Sequence, residues 1–290
     1  SLVTTKRGKE GKTSVTYSGS VHANIIGKRF PVADGQTWGQ MLVHATENDA
    51  KADNGNYSWW MWPENVWREI AAGNTFEGVV GGKWRRLDPN SDQFDAVYGN
   101  TWGQSHNISI NSGTDKVKVL TSLGYANDRS LVDIVYDGQK KYNFRTNVDY
   151  KLNEYVKTEF NVSYDKRNVS TPQQGVGHGI QDFYIFPLYN PYGQFYDTFG
   201  NNNLVAKLKE GGRKNDTEEI LRLGGKVTID LGMITKGLSI TGNANFRLRK
   251  HLMIERQTRV TMYDWSGETT TADGNPDYSL GTGSVNSETG

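Results

Sequence analysis

From Thr13 the chain reads TSVTYSGSVHANI, with Val15, Tyr17, Gly19, Val21, Ala23 and Ile25 on one parity and Ser14, Thr16, Ser18, Ser20, His22 and Asn24 on the other. A period of two sustained this long predicts a strand with one apolar and one polar face. The alternation stops for residues 27–100, a mixed stretch with two helical fragments, WGQMLVHATENDA and ENVWREIAA, and the Trp-rich run YSWWMWPENVW. It returns in TWGQSHNISI, breaks at NSGTD and resumes in KVKVLTSLGYAN, where Val117, Val119, Thr121, Leu123 and Tyr125 share a face. Tyr142, Phe144, Thr146, Val148 and Tyr150 then alternate with Asn143, Arg145, Asn147, Asp149 and Lys151. After a break at KLNEY, Val156, Thr158, Phe160, Val162 and Tyr164 alternate with Lys157, Glu159, Asn161, Ser163 and Asp165. A last pair, EILRLGGKVTIDL and LSITGNANFRLRK, flanks GMITKG.

These are seven strands of roughly 10 to 13 residues each. Strands of globular proteins run about 5 to 6 residues, whereas a tilted strand crossing a bilayer needs about 9 to 11. The breaks sort by length: NSGTD, KLNEY and GMITKG are short, and they alternate with excursions over 27–100, 127–140, 167–218 and 251 onward. Outer-membrane barrels have this asymmetry, with short periplasmic turns and long extracellular loops. The expected fold class is therefore all-β, an antiparallel transmembrane β-barrel segment whose first strand runs outward from the periplasmic side. Seven strands with an apolar face along each do not close a barrel, and an open one would leave unpaired edges. The expectation is a piece of a longer polypeptide.

Composition supports this picture where it bears on it. The mean hydropathy of −0.68 and 35% apolar content leave little for a dry centre, yet 15 Tyr, 8 Trp and 10 Phe exclude a simple disordered tract. With 33 basic and 32 acidic residues, no net field draws the chain to nucleic acid. The absence of cysteine removes disulfide frameworks, thiol catalysis and Cys-based zinc sites. No apolar run approaches the roughly 18 residues of a spanning helix, and the start, SLVTTKRGKEGK, has no signal-peptide core.

The opening SLVTTKRGKEGKTSVTYSG resembles the plug–barrel junction of the SusC/RagA family of TonB-linked outer-membrane transporters of Bacteroidota, with Val3, Thr4, Thr5, Lys6, Arg7 and Gly8 carrying the V-T-T-K-R-G motif. QSHNISINSGTDKVKVLTSLGYAN is similar to the following strand pair through Gln104, His106, Asn107, Ser109, Ser112, Gly113, Ser122, Gly124 and Tyr125. KYNFRTNVDYKLNEYVKTEFNVSY and KGLSITGNANF also look like hairpins of that family. The resemblance implies a plugged barrel of roughly 22 strands. Residues 1–12 would be the end of the plug and the junction, and 13–290 the N-terminal part of the barrel, with extracellular loops at about 27–100, 127–140, 167–218 and 251–290. It also implies an outer-membrane location, a SusD-like surface lipoprotein, and energy from the TonB–ExbB–ExbD complex through parts that this sequence does not include. The cargo would be an oligosaccharide or a peptide, with no cofactor and no bond made or broken.

Candidate chemistry is sparse. Trp59, Trp60, Trp62 and Trp67, with Tyr57 and Trp84 near them, suit either the private core of a long loop or a surface for a lid or substrate, since indole faces stack on sugar rings and anchor interfaces. The polar parity, Arg145, Asp149, Lys157 and Glu159 above all, would face a hydrated lumen and hold the plug. Tyr125, Tyr142, Tyr155 and Tyr164 near strand ends suit interfacial aromatic girdles. GVGHGI lacks nucleotide-loop spacing, and DPNSD reads as a turn rather than a calcium loop. His22, His44, His106, His178 and His251 never fall at metal-pair spacing. Two rival readings are a secreted or surface-bound β-rich glycan-binding module and a β-sandwich hydrolase.

Overall fold

The computed structural model describes residues 7–27, 33–80, 83–92, 94–174, 185–190, 193–197, 203–263 and 283–285. Its elements in chain order are β1 (Gly11–Asn24), α1 (Gly35–Ala52), α2 (Glu64–Ala72), β2 (Phe76–Val80), β3 (Lys83–Leu87), β4 (Thr101–Gly113), β5 (Val117–Arg129), β6 (Gly138–Lys151), β7 (Val156–Pro172), α3 (Leu204–Glu210), β8 (Gly212–Asp230), β9 (Ser239–Gln257), β10 (Thr261–Tyr263) and β11 (Gly283–Val285). The seven alternating segments form one sheet in the order β1-β4-β5-β6-β7-β8-β9, and the hairpins β2–β3 and β10–β11 stand apart from it. Every neighbouring pair in the large sheet is antiparallel.

Register follows the parity read from the sequence. Ile108, Leu123, Phe144, Tyr164, Leu221 and Leu248 stand in one cross-strand row, and Ile110, Thr121, Thr146, Val162, Leu223 and Phe246 in the next. Side chains alternate faces at every residue, so a slip of one would move each apolar group to the polar side. The three short turns lie together at one end. Thr114 Oγ1 accepts the Val117 N–H at 3.1 Å, Asn153 Oδ1 accepts those of Tyr155 and Val156 at 2.9 and 2.8 Å, and Asp230 Oδ1 accepts that of Gly232 at 2.8 Å. Side-chain oxygens of this kind close tight turns without a further strand residue.

The strands are 13 to 19 residues long, longer than the alternation. The ladder runs through Asn111 to Gly113, so the turn expected at NSGTD is confined to 114–116, and the excursion expected at 127–140 is confined to 130–137. Main-chain pairing needs only hydrogen bonds, so it continues where the alternation lapses, into polar residues at Asn111–Gly113 and into consecutive apolar ones at Leu252, Met253 and Ile254.

The sheet has no core of its own. Among the described residues, no large apolar side chain of the seven strands is buried, and its apolar face is open: Val15 is 65% exposed, Phe160 51% and Phe246 56%. The buried clusters lie in the excursions instead. One gathers Val43, Trp62, Val66, Trp67, Ile70, Leu87, Ile185 and Phe186, and another Val97, Val132, Leu204, Val205 and Leu208. The two expected helical fragments are α1 and α2 of the first cluster.

At the long-loop end, Gly212 opens β8 with φ +97°, and a Cβ there would lie 2.0 Å from the Arg256 carbonyl oxygen. Gly212→Ala should lower stability by about 1 to 3 kcal/mol, read as an earlier thermal transition, with exchange of the Gln173 and Thr258 amides, which bond across this corner, rising first.

Candidate functional site

Two surfaces combine polar or aromatic groups densely enough to act on something else: the polar face of the sheet, and the aromatic cluster of the first excursion. On the polar face, parity and register bring opposite charges together. Asp165 lies between Arg222, at 2.6 Å, and Arg145, at 3.8 Å. Glu218 lies between Arg249, at 2.6 Å, and Arg167, at 4.0 Å. Asp216 pairs with His251 at 2.7 Å, and Asp128 lies 3.7 Å from Lys141 and 3.8 Å from His22. Asp149 and Glu159 stand directly opposite each other on β6 and β7, and Arg7 reaches both at 2.5 Å. Lys226 approaches Glu159 at 3.5 Å.

The opposite face carries the band. On β8 it runs from Ile229 to Leu221, and on β6 from Tyr150 to Tyr142, eight residue steps in each case. At about 3.4 Å per step and a tilt near 40°, that is a height of about 21 Å, against the band of about 25 Å in outer-membrane barrels. Along its long-loop edge runs an aromatic row. Tyr17 Oη and His106 Nδ1 are 2.7 Å apart, His106 stacks near Tyr125 at 6.3 Å, and Tyr125 meets Tyr142 at 5.3 Å. Rings with one wet edge suit a boundary between apolar and aqueous phases.

In the first excursion, α1 starts on Asp34, whose side chain accepts the Thr37 N–H at 2.7 Å. That bond and the Thr37 hydroxyl hold the Asp34 carboxyl below the usual carboxylate value. Trp67 on α2 is wholly buried, with its Nε1–H donating to the Trp60 carbonyl at 2.7 Å and its ring packed on Trp38, Trp60 and Trp62 at 4.9, 6.1 and 5.1 Å. Trp62 meets Phe186 edge-on at 5.7 Å. Outside this core, Tyr57 stacks on Trp59 at 6.3 Å with 6° between planes, and the Arg68 guanidinium lies 5.9 Å from the Trp59 ring. Arg68 is itself fixed by Glu64 at 2.6 Å and Glu47 at 3.1 Å.

No family model matches the chain. Over 107 residues, 37% of its length, it is 33% identical to the TonB-dependent receptor P26 of Formosa agariphila, of which that stretch is 11%. Among solved structures it superposes on the RagAB peptide importer in the closed-closed state with a TM-score of 0.59 at 17% identity, covering 85% of this chain and 29% of that one. The open-open state gives 0.57 at 17% identity, with 94% and 30% covered. The chain resembles the SusC/RagA transporters in sequence and in fold. Its sheet has the fold of an antiparallel segment of such a barrel, and the chain spans about a tenth of the curated relative and three tenths of the solved chains it matches.

Within this SusC/RagA-like segment the expected residues fall in distinct places. Arg145, Asp149 and Glu159 are in ion pairs on the polar face, and Lys157 shares that face opposite Lys151 and Thr228, near the short turns. Trp62 and Trp67 are core of the loop, Trp59 keeps part of its ring in solvent, and Trp60 is 44% exposed. Tyr57 and Arg68 join Trp59 in an outward platform. Asp88 and Asp92 of DPNSD accept the amides of Asn90, Phe94 and Asp95, as turn residues do. Residues 1–6, GVGHGI and His178 lie outside the described residues, as does the Trp84 side chain. Sequence reasoning assigned no role on the polar face to Arg7, and it did not pair Asp165 with Arg222 or Glu218 with Arg249. Part of the signal was present: counting outward from the KLNEY turn places Asp149 against Glu159 and calls for a cation, but does not say which.

Replacing Trp67 by Ala should cost the first excursion about 3 to 5 kcal/mol, seen as selective proteolysis between α1 and β3, while Trp59→Ala should leave resistance unchanged. Asp34→Ala should destabilise α1 by about 1 kcal/mol at neutral pH. Because the folded carboxyl titrates below its ordinary value, the cap contributes above that ordinary value and is lost as pH falls through the lowered one, so wild type and variant should converge in strong acid.

Proposed function

We propose that this chain is part of an outer-membrane, TonB-dependent importer, in which the apolar parity faces lipid and the polar parity faces a hydrated lumen. The single observation that carries the reading is the inversion of the sheet: its apolar face is open, and its polar face is laced with ion pairs. A soluble glycan-binding module would cover Val15, Phe160 and Phe246 with a second layer, and among the described residues none lies on them. The short turns are then periplasmic and the excursions extracellular. Capture would occur between those loops and a SusD-like lipoprotein, and the RagAB neighbours support such a two-component arrangement. The cargo is an oligosaccharide or a peptide. The neighbours' description as peptide importers supports the second, and the Tyr57–Trp59 platform suits either a sugar ring or an aromatic side chain. The import would involve no chemical conversion by the chain.

The test uses the full polypeptide that contains this segment. An arginine at Val148 or Phe160, in the middle of the band, should cost about 2 to 4 kcal/mol of assembly, read as loss of the heat-modifiable folded species from outer-membrane fractions. Arginine at Asn147, on the opposite parity, should assemble normally. The reverse pattern, or recovery of the intact polypeptide from the aqueous fraction without detergent, would sink the reading.

A further inference from the structure

The segment entering β1 is laid across the polar face, touching one strand after another. Arg7 reaches Asp149 on β6 and Glu159 on β7. Gly8 is buried on the β5 main chain, where a Cβ would lie 2.7 Å from the Val119 nitrogen, so no larger residue fits without a shift. The Lys9 N–H donates to Asn111 Oδ1 of β4 at 2.8 Å, and Gly113 leaves room for the Lys9 carbonyl. Gly11 then opens β1 opposite Gly113, and the register is irregular between Gly11 and Ser14. The first rungs of the β1–β4 ladder are therefore its least regular ones.

Asp149 and Glu159 are directly opposed carboxylates on adjacent strands, an arrangement that destabilises a sheet unless a cation lies between them. In the same cross-strand row Lys118 stands opposite Asp149 and pairs with Glu10 at 3.8 Å, and Lys226 reaches Glu159 at 3.5 Å, so each lysine lies to one side of the acid pair and neither bridges it. A guanidinium is a planar fork of donors, and at Arg7 its two terminal nitrogens each take one carboxylate. We propose that the Asp149–Glu159 pair is a guanidinium receptor built into the barrel wall, and that Arg7 seated in it is the anchor at which a pull on the preceding segment stops.

The geometry makes the two load paths different. Tension arriving at Gly11 would act on the end of the β1–β4 ladder and open its rungs one at a time, beginning with the irregular pair. Tension arriving at Arg7 is borne by β6 and β7 together, at the base of a hairpin whose ladder is continuous from Lys151–Lys157 outward. Once Arg7 leaves, Lys118 and Lys226 still flank the acid pair but nothing bridges the two opposed carboxylates, which favours its return. The importer reading supplies only the origin of the pull; the anchor itself can be tested without transport.

In the full barrel protein, folded in detergent, the segment before Arg7 would be pulled with a tethered single-molecule probe, and amide exchange of residues 8–12 followed in parallel. Arg7→Gln should leave the heat-modifiable folded form intact, speed exchange of the Lys9 to Lys12 amides, and let extension run on through β1. Freeing residues 8 to 24 adds about 60 Å of contour at about 3.5 Å per residue. Arg7→Lys, which keeps the charge without the fork, should fall between. In an Asp149→Asn, Glu159→Gln background the further change Arg7→Gln should have little effect. The anchor is overturned if Arg7→Gln matches wild type in both readouts, or if its effect persists undiminished in the neutral background. Failure of uptake assays with the anchor intact would count against the importer reading alone.

Discussion

The main-chain ladder of the large sheet is the constraint from which the remaining structure follows. Six antiparallel pairings satisfy the backbone groups of β4 to β8 on both sides and those of β1 and β9 on one, in strands 13 to 19 residues long, without help from side chains on either face. A sheet whose backbone is satisfied internally is free to present an apolar face to a phase that offers no hydrogen bonds. That freedom explains a low mean hydropathy beside long apolar stripes: the apolar side chains are gathered in a band on one face, and no dry centre has to be filled.

The polar face answers a different demand. Register places several of its acids within reach of one or two cations on neighbouring strands, as at Asp165 and Glu218. Pairs of this exposure are individually weak. Their arrangement matters more than their sum, because it fixes which wall positions are electrostatically satisfied from within the sheet. Asp149 and Glu159 are flanked in the sheet by Lys118 and Lys226, and the bridge between them is Arg7, from the segment before β1.

The excursions are folded in their own right. Trp67, Trp62 and Ile70, joined by Ile185 and Phe186 of the 167–218 excursion, give the first a core that does not draw on the sheet, and Asn203 ties the 167–218 excursion together by accepting the Ala206 amide and donating to the Leu188 and Tyr196 carbonyls. Both buried clusters are shared between excursions, so the loops brace one another beside a sheet that has no core, and outward groups such as Tyr57 and Trp59 are positioned by that packing.

The sequence by itself determined the seven strands, which parity each residue occupies, and which connections are short, because a period of two and a tight turn are properties of neighbouring residues. It even implied the Asp149–Glu159 opposition, since a short turn sets the register of its own hairpin. It did not determine where the strands end, because alternation lapses, into polar residues on β7 and into the consecutive Leu252, Met253 and Ile254 on β9, while pairing continues to Pro172 and Gln257. Nor could it sort the tryptophans: Trp59, Trp60 and Trp62 are near neighbours in the chain, and only packing against Trp38, Trp67 and Phe186 decides which is core. Arg7 is the extreme case. Its partners lie 142 and 152 residues away, and only the folded sheet brings two distant carboxylates to the place where the chain enters β1.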